Sequence, residues 1–566
     1  MSQSESKKYH LTIALMGKPS PSASTPSPTL GKYDEYLAED ALQEVEPVIP
    51  VNVLPQSELY VGKQRKTEPA WVVALRELML VDIPSLQNAS NRSVVFTTIE
   101  GHVIALIFGY GRSLLNGRLI VRDFGKRTAL NILNGDDIRS ITSFSIADAI
   151  LLSQTQASES TNSAEFGVDE SSGIVKQITG TPVDADYGDL VSGGDVLAID
   201  INLSHGDELA EKLRALLRAY KNNDQRQESL KWISRISETK DAALKDSLND
   251  ALQAFLLGED GGSQWKVTSL SSMPSKIIDW ESAGLFYLGS EARAEKTLDD
   301  NSRPQFKPYI DLKEYIDSYR GKGKLIDKMK RDKLFVLSTT EDNPIAICSA
   351  YRSLVCEMEM DGSAYVLVDG RWFEVAASLY KEIEGYLTGG SLEHVDLNLP
   401  EWESPDAEGI YNEKAAEVTG YAHLDKSRSG IEFGPKQIEV CDLFDISDKR
   451  FIHVKKKGSS GELSHLFSQG TVAAECYQDD REFRRQFVQL IDNPSFAEDS
   501  RPRHEEFCVT YAIILTDRGG DSIPPVDNRL GRINLIPFFS RVNLMQRTRE
   551  LRRMGFRVQL GFIGRA

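Results

Sequence analysis

The sequence predicts a multidomain α/β protein: an α+β front, an α-rich middle, a small antiparallel sheet after it, and a C-terminal core whose elements run α-β-β-β-α-β. Three observations predict this. At 566 residues the chain exceeds what one hydrophobic core usually supports. Apolar residues recur with helical period in some segments and alternate with polar ones in others, and polar or Gly-rich stretches part them. A composition of 40% hydrophobic and 27% charged residues is that of an ordinary globular chain.

The front, residues 1–153, opens with an alternating strand from Tyr9 to Met16. The Ser/Pro/Thr run from Lys18 to Thr29 has nothing to bury and reads as a flexible loop. Arg92 to Thr98 and His102 to Phe108 are β-branched runs about Glu100-Gly101, which predicts a hairpin. Gln154 to Glu165, rich in Ser, Thr, Ala and Glu, reads as the linker to a middle domain at 166–330. There Leu209, Leu213, Leu216 and Leu217, then Leu244, Leu248, Leu252 and Phe255, keep helical spacing, and Gly258 to Gly262 stops the second helix. Residues 331–407 hold four short strands, from Leu334, Ile345, Leu354 and Ala364, with turns at Asp361-Gly362 and Asp369-Gly370 and a closing helix from Ala376 to Leu387. The tail, 408–566, gives a helix from Glu408 to Val418, then strands from Ile431 to Phe433, Gln437 to Phe444 and Arg450 to Lys456. A helix from Glu462 to Glu475 and a strand from Phe507 to Leu515 follow, extended by a helix from Val542 to Met554 and a strand from Arg557 to Phe562.

Composition narrows the function classes. No apolar run is long enough to span a bilayer and Met1 to Lys8 is polar, so the expected location is the cytoplasm, with no membrane partner. The five cysteines are odd in number and lack zinc-site spacing, which predicts buried packing residues. A net charge of −18 argues against nucleic acid until its distribution is considered. Residues 408–566 carry 24 Lys and Arg against 23 Asp and Glu, so the acidity belongs to the front. A local basic face on the tail remains open, with a solvated mixture of charges as the plain alternative.

The tail also holds the constellation with the clearest chemical meaning. Asp442 ends one expected strand, and His453 and Lys455 share one face of the next. Phosphodiester hydrolysis needs a metal to activate water and neutralise charge, and a lysine nearby steadies the developing negative charge. Asp442 and His453 are the expected ligands of Mg²⁺ or Mn²⁺, and Lys455 positions the water. Gln469 and Glu413, on flanking helices, are the expected supports, and Lys456, Lys457, Ser464 and His465 the expected contacts to nucleic acid, DNA in preference to RNA. The plain alternatives are a charged sheet edge for the lysines, a strand-end cap for Asp442 and a partly buried helix position for His465. Gly321 to Lys324 and Gly109 to Arg112 have the glycine-and-basic look of phosphate loops, yet neither completes the P-loop spacing.

This order and this pair resemble the restriction-endonuclease-like fold of the PD-(D/E)xK nuclease superfamily. The departure is His453, where members place a carboxylate. The resemblance implies a metal-dependent nuclease, and the departure leaves open a decayed one that binds without cutting. Four blocks carry a second resemblance: Ile107 to Arg112 with Arg122 to Asn131; Asp369 to Val375; His453 to Lys455 with Ser464 to Gly470; and Pro537 to Ser540. Together they resemble a sporadically distributed bacterial family of unknown function associated with mobile elements and antiphage defence. That implies a defence protein, homo-oligomeric or part of a defence complex, in which an interaction scaffold is the remaining alternative. Arg112, Arg122 and Arg127 read either as a phosphate-recognition patch or as parts of tight turns and core anchors.

Overall fold

The computed structural model describes residues 7–566 except 20–30, 47, 68–87, 147–149, 205, 223–226, 260–264, 279, 281–282, 291–293, 295–305, 320–323, 339–343, 425–430, 434–435, 459, 492, 494–495, 497–502, 504 and 516–522. Most of the Lys18 to Thr29 loop, Gly321 to Gly323 and the end of the Gly258 to Gly262 stop lie outside the described residues.

The expected first strand is β1 (Lys7–Met16), central in a ten-stranded antiparallel sheet. On one side of it lie β2 (Ile49–Val51), β3 (Ser57–Thr67), β4 (Asn88–Ile99) and β5 (His102–Gly109). On the other lie β6 (Leu133–Ser145), β7 (Leu151–Thr161), β8 (Gly173–Pro182), β9 (Leu190–Gly193) and β10 (Leu197–Leu203), in the order β2-β3-β4-β5-β1-β10-β9-β8-β6-β7. Alternation along β1 sorts its two faces. Leu11, Ile13 and Leu15 meet helices α1 (Phe124–Ile132) and α2 (Gly206–Lys221), whereas Ala14 and Met16 meet Tyr33, Tyr36 and Phe96.

The segment read as a linker, Gln154 to Glu165, is instead mostly β7, paired with β6. An edge strand exposed on both faces needs no apolar alternation, so its polarity imitates a loop. The first sheet therefore continues to Leu203, past the boundary expected at 153.

The middle is mixed rather than α-rich. Helices α2 and α3 (Ala242–Leu256) lie where the leucine spacing puts them, but strands surround them. β11 (Ile236–Glu238), β12 (Trp265–Ser272), β16 (Leu354–Met360), β17 (Ser363–Val368) and β18 (Arg371–Val375) form one antiparallel sheet, in the order β11-β18-β17-β16-β12. β13 (Ala283–Gly289), β14 (Lys333–Ser338) and β15 (Ile345–Ser349) form another. The β16-β17 and β17-β18 turns fall at Asp361-Gly362 (φ 50° and 76°) and Asp369-Gly370 (φ 51° and 69°), the two positive values that a type I′ turn requires.

One face of the five-stranded sheet packs on Leu248 and Leu252 of α3. Its other face, with Val366, Phe373 and Val375, joins helix α4 (Ala377–Thr388) in a core continuous with that of the tail. The boundary at 407 is also crossed by β19 (Glu393–His394), which pairs with the last strand of the chain.

The tail is a three-layer α/β/α unit. Its sheet runs β19-β26-β25-β24-β23-β20, with β20 (Ala422–His423), β23 (Leu443–Asp445), β24 (Arg450–Lys456), β25 (Cys508–Ile514) and β26 (Arg557–Ile563). β24, β25, β26 and β19 are parallel, and β23 is antiparallel to its two neighbours. Helix α5 (Glu408–Thr419) covers one face through Tyr411 and Ala415, against Ile452 and Val454. Helices α6 (Ser460–Asp479), α7 (Arg481–Ile491) and α8 (Phe538–Arg553) cover the other through Phe467, Phe487 and Val542, against Phe451 and Tyr511.

The expected strand from Gln437 to Phe444 is divided. Its start forms β22 (Lys436–Ile438), in a separate hairpin with β21 (Ile431–Phe433), and only its end enters the sheet as β23. All five cysteines are free, and four are buried. No helix among the described residues is long and apolar enough to cross a membrane.

Candidate functional site

β24 carries Lys455 to the edge of the sheet where α5 and α6 begin. Glu408, the first residue of α5, binds this edge twice: Oε2 accepts from Lys455 Nζ at 2.8 Å and Oε1 from the Lys456 amide at 3.0 Å. Burial works against the Lys455 charge, but Glu408, then Asp442 and Glu462, outweigh it and hold the ammonium above its ordinary pKa.

Asp442 stands just before β23 and prolongs its ladder. Its amide donates to Ile452 O at 3.1 Å, while Oδ2 accepts from the Val454 amide at 2.7 Å and Oδ1 from Asn412 Nδ2, on α5, at 2.9 Å. The carboxylate is thus fixed in the plane of the sheet.

His453 leaves β24 on the α6 side. Its ring lies 6.3 Å from that of Tyr511 between centroids, is 2% exposed, and has no hydrogen-bond partner for Nε2. Burial pushes its pKa down to about 4, so the imidazole is neutral. Of the expected metal pair, Asp442 acts on Lys455 together with Glu408, whereas His453 is buried beside Tyr511. Among the described residues no three His, Cys, Asp or Glu side chains are grouped to hold a metal ion.

The supporting residues scatter around this edge. Gln469 Nε2 reaches Glu439 Oε2 at 3.5 Å. Glu413 is half-buried on α5, five residues and so about 7.5 Å along the axis from Glu408. Lys456 lies over Trp402, 4.5 Å from the ring centre, and donates to Asp406 O. Lys457 lines a pocket of about 210 Å³ with Glu359. His465 is exposed, whereas Ser464 is fully buried and has no surface to offer a nucleic acid.

Glu357 sits behind this edge, on β16. One oxygen accepts from the Phe539 amide at 3.0 Å, at the start of α8, and the other from Ser460 Oγ, at the start of α6. It therefore joins two helix N-termini to the middle sheet. Burial nonetheless pushes its pKa up to about 7, because Ser460, Phe539 and Arg541 only partly offset desolvation and the repulsion of Glu359.

A second charged site lies between the front and middle sheets, on blocks whose Arg112 and Arg122 read as either a phosphate-recognition patch or turn and core anchors. Gly125 allows α1 to lie on the 193–196 turn, where a Cβ would fall 2.0 Å from Val196 O, and Lys126 N donates to Gly194 O at 2.8 Å. This contact sets Asp195 beside Arg122, at 3.5 Å, and Arg112, at 3.1 Å. The β17-β18 turn brings Asp369 to the same place, where Arg122, Lys176, Arg352 and Arg371 surround a carboxylate 1% exposed.

All of this architecture but β1 falls within one sequence family. Residues 20–564 match the Family of unknown function (DUF6119). The chain belongs to DUF6119. No curated protein and no solved structure matches it.

The DUF6119 chain therefore has two charged centres, each of which the sequence indicated in part: Lys455 with Asp442 for one, Arg112 with Arg122 for the other. Glu408 was legible as the first residue of a helix, a favourable place for a carboxylate, but nothing in the sequence pairs it with Lys455. Asp369 was legible as a turn residue alone. Its burial among cations depends on the meeting of two sheets distant in sequence.

Proposed function

We propose that the C-terminal domain of this DUF6119 protein is a nuclease-type phosphodiesterase related in fold to the PD-(D/E)xK nucleases, working with Mg²⁺ or Mn²⁺. One observation carries the reading: Lys455, at the end of a strand in an α-β-β-β-α-β sheet, lies against Glu408 at 2.8 Å and within the field of Asp442. A carboxylate from the first helix, one from the second sheet strand and a lysine from the third are the groups such chemistry requires.

The residues suit a hard cation. Glu408 and Asp442 offer oxygen donors, and Mg²⁺ is usually held by one or two carboxylates with waters completing its shell. When bound, the metal would neutralise phosphate charge and make a water acidic. The chain's own groups do the rest. The Val454 amide and Asn412 hold Asp442 in one orientation. Lys455 would donate to the phosphate or to the attacking water. Gln469 and Glu439 flank the site, and His453 serves as packing under α6.

A second reading is favoured by the closed Lys455–Glu408 pair and the want of a third ligand: a domain that binds nucleic acid without cutting it. In either case the setting would be defence against foreign nucleic acid. The test uses full-length protein with duplex and single-stranded DNA and RNA in Mn²⁺. Cleavage by the parent that falls about 100-fold in Lys455→Ala, with weaker Mn²⁺ binding by Asp442→Asn in electron paramagnetic resonance, is the expected result. Equal cleavage by parent and variants overturns the proposal, and a gel shift without products in Mg²⁺, Mn²⁺, Co²⁺ and Ni²⁺ establishes the second reading.

A further inference from the structure

The junction of the front and middle sheets holds more positive charge than its carboxylates balance. Arg112, Arg122 and Lys176 come from the front, Arg352 and Arg371 from the middle, and they share Asp195, Asp369 and Glu238. Among the described residues, five cations face three acids. The excess is two charges in a place where Asp369 is 1% and Arg371 5% exposed.

A structural ion network closes by pairing at hydrogen-bond distance, and this one closes only in part: Arg112 reaches Asp195 at 3.1 Å and Lys176 donates to Ser275 O. Around Asp369, Arg352 Nε is at 2.8 Å, but Lys176, Arg122 and Arg371 stand at 3.4, 3.5 and 3.6 Å, beyond good N–H···O length. Arg371 meets Asp195, Glu238 and Asp369 at 3.6 Å each, and its buried Nε has no hydrogen-bond partner. A buried guanidinium left with an unused donor costs stability unless an acceptor arrives. Burial lowers the pKa of Arg122; Asp195 opposes this, while Arg371 and Arg352 add to it. Lys176 is also lowered, by burial and by Arg352 against the pull of Asp369.

Solvent reaches the cations, since Arg112 is 53%, Arg352 31% and Arg122 24% exposed. A single carboxylate would supply one negative charge, whereas a phosphate monoester or diphosphate supplies about two or more, and guanidinium forks match phosphate oxygens.

We propose that this junction binds the phosphate groups of a small phosphorylated ligand, drawing Arg112, Arg122 and Lys176 of the front against Arg352 and Arg371 of the middle. The site is independent of the C-terminal reading. Binding would tie two sheets together, so it is measurable as stability.

The experiment is a thermal melt of the full-length chain with pyrophosphate, ATP or sulfate at matched ionic strength. Pyrophosphate and ATP raise the midpoint saturably beyond sulfate. Arg112→Gln, at the exposed rim, and Lys176→Gln each weaken the half-saturation concentration about tenfold, with little change of midpoint in chloride alone. Absence of saturable stabilisation beyond sulfate overturns the proposal, as does unchanged half-saturation in both variants. So does a single-stranded oligonucleotide that binds through these residues without competition from pyrophosphate.

Discussion

The edge of the C-terminal sheet and the junction of the two other sheets are opposite in charge. At the edge, Glu408, Asp442 and Glu462 act on one lysine, Lys455. At the junction, five cations act on three carboxylates. A surplus of one sign in a partly desolvated place has a cost, and the sign of the surplus names the charge that would relieve it. The edge gathers carboxylates about Lys455 and suits a metal. The junction is short of anions and suits phosphate.

The sharpest way to break this comparison is to worsen the junction's imbalance. Asp369→Asn removes the most buried carboxylate and leaves four cations without it, so unfolding free energy should fall by about 3–5 kcal/mol. Denaturant titration in chloride measures this, and pyrophosphate should restore part of the loss. A loss under ~1 kcal/mol would mean that the cations are already balanced. At the edge, Lys455→Ala should reduce cleavage about 100-fold, equivalent to about 3 kcal/mol of barrier, and Glu408→Gln, which removes one of the two proposed metal ligands, should lower both Mn²⁺ affinity and cleavage. An unchanged rate in single-turnover assays would show the edge to be a structural ion pair.

The two sites also differ in how far the sequence disclosed them. Local chemistry was legible: three acidic residue-glycine pairs, at Glu100, Asp361 and Asp369, became turns with positive φ, because few residues tolerate that backbone. Helices α5, α6 and α8 of the tail and the strand bearing Lys455 also lie near where periodicity places them, whereas α7 was not foreseen. Non-local facts were hidden. β7 was lost because an exposed edge strand is polar on both faces, and the sheet strand next to β23 was misplaced because Ala422-His423 is too short to show alternation. Asp369 and Asp195 lie 174 positions apart in the chain, and only the packing of α1 on the 193–196 turn, which Gly125 permits, brings their partners together.

Glu357 lies between these extremes, a buried carboxylate held by helix N-termini rather than by a contacting cation. Its folded pKa, about 7, lies above the ordinary 4.5. Below pH 4.5 it is protonated in both folded and unfolded chains and has no effect. Between pH 4.5 and 7 the unfolded chain releases the proton that the folded chain keeps, so stability falls as pH rises, by up to ~3 kcal/mol, and levels off above pH 7. Glu357→Gln, which retains an acceptor for the Phe539 amide, should abolish this fall. Urea midpoints at pH 5 and pH 8 measure it, and an equal pH dependence in parent and variant would place the titration elsewhere.

His453 separates metal binding from packing at the edge. Its Nε2 is buried without a partner, and such an atom costs about 1–3 kcal/mol. If the ring serves only to fill space beside Tyr511, His453→Leu removes that cost at some loss of shape, for a net gain of ~1 kcal/mol. Mn²⁺ affinity and cleavage should then be unchanged, since Glu408 and Asp442 remain. If the imidazole instead swings to the carboxylates when a metal arrives, the same variant loses Mn²⁺ affinity as sharply as Asp442→Asn. A melt and a Mn²⁺ titration on one preparation distinguish these outcomes, because a gain in stability with retained affinity assigns His453 to the core, whereas retained stability with lost affinity returns it to the metal.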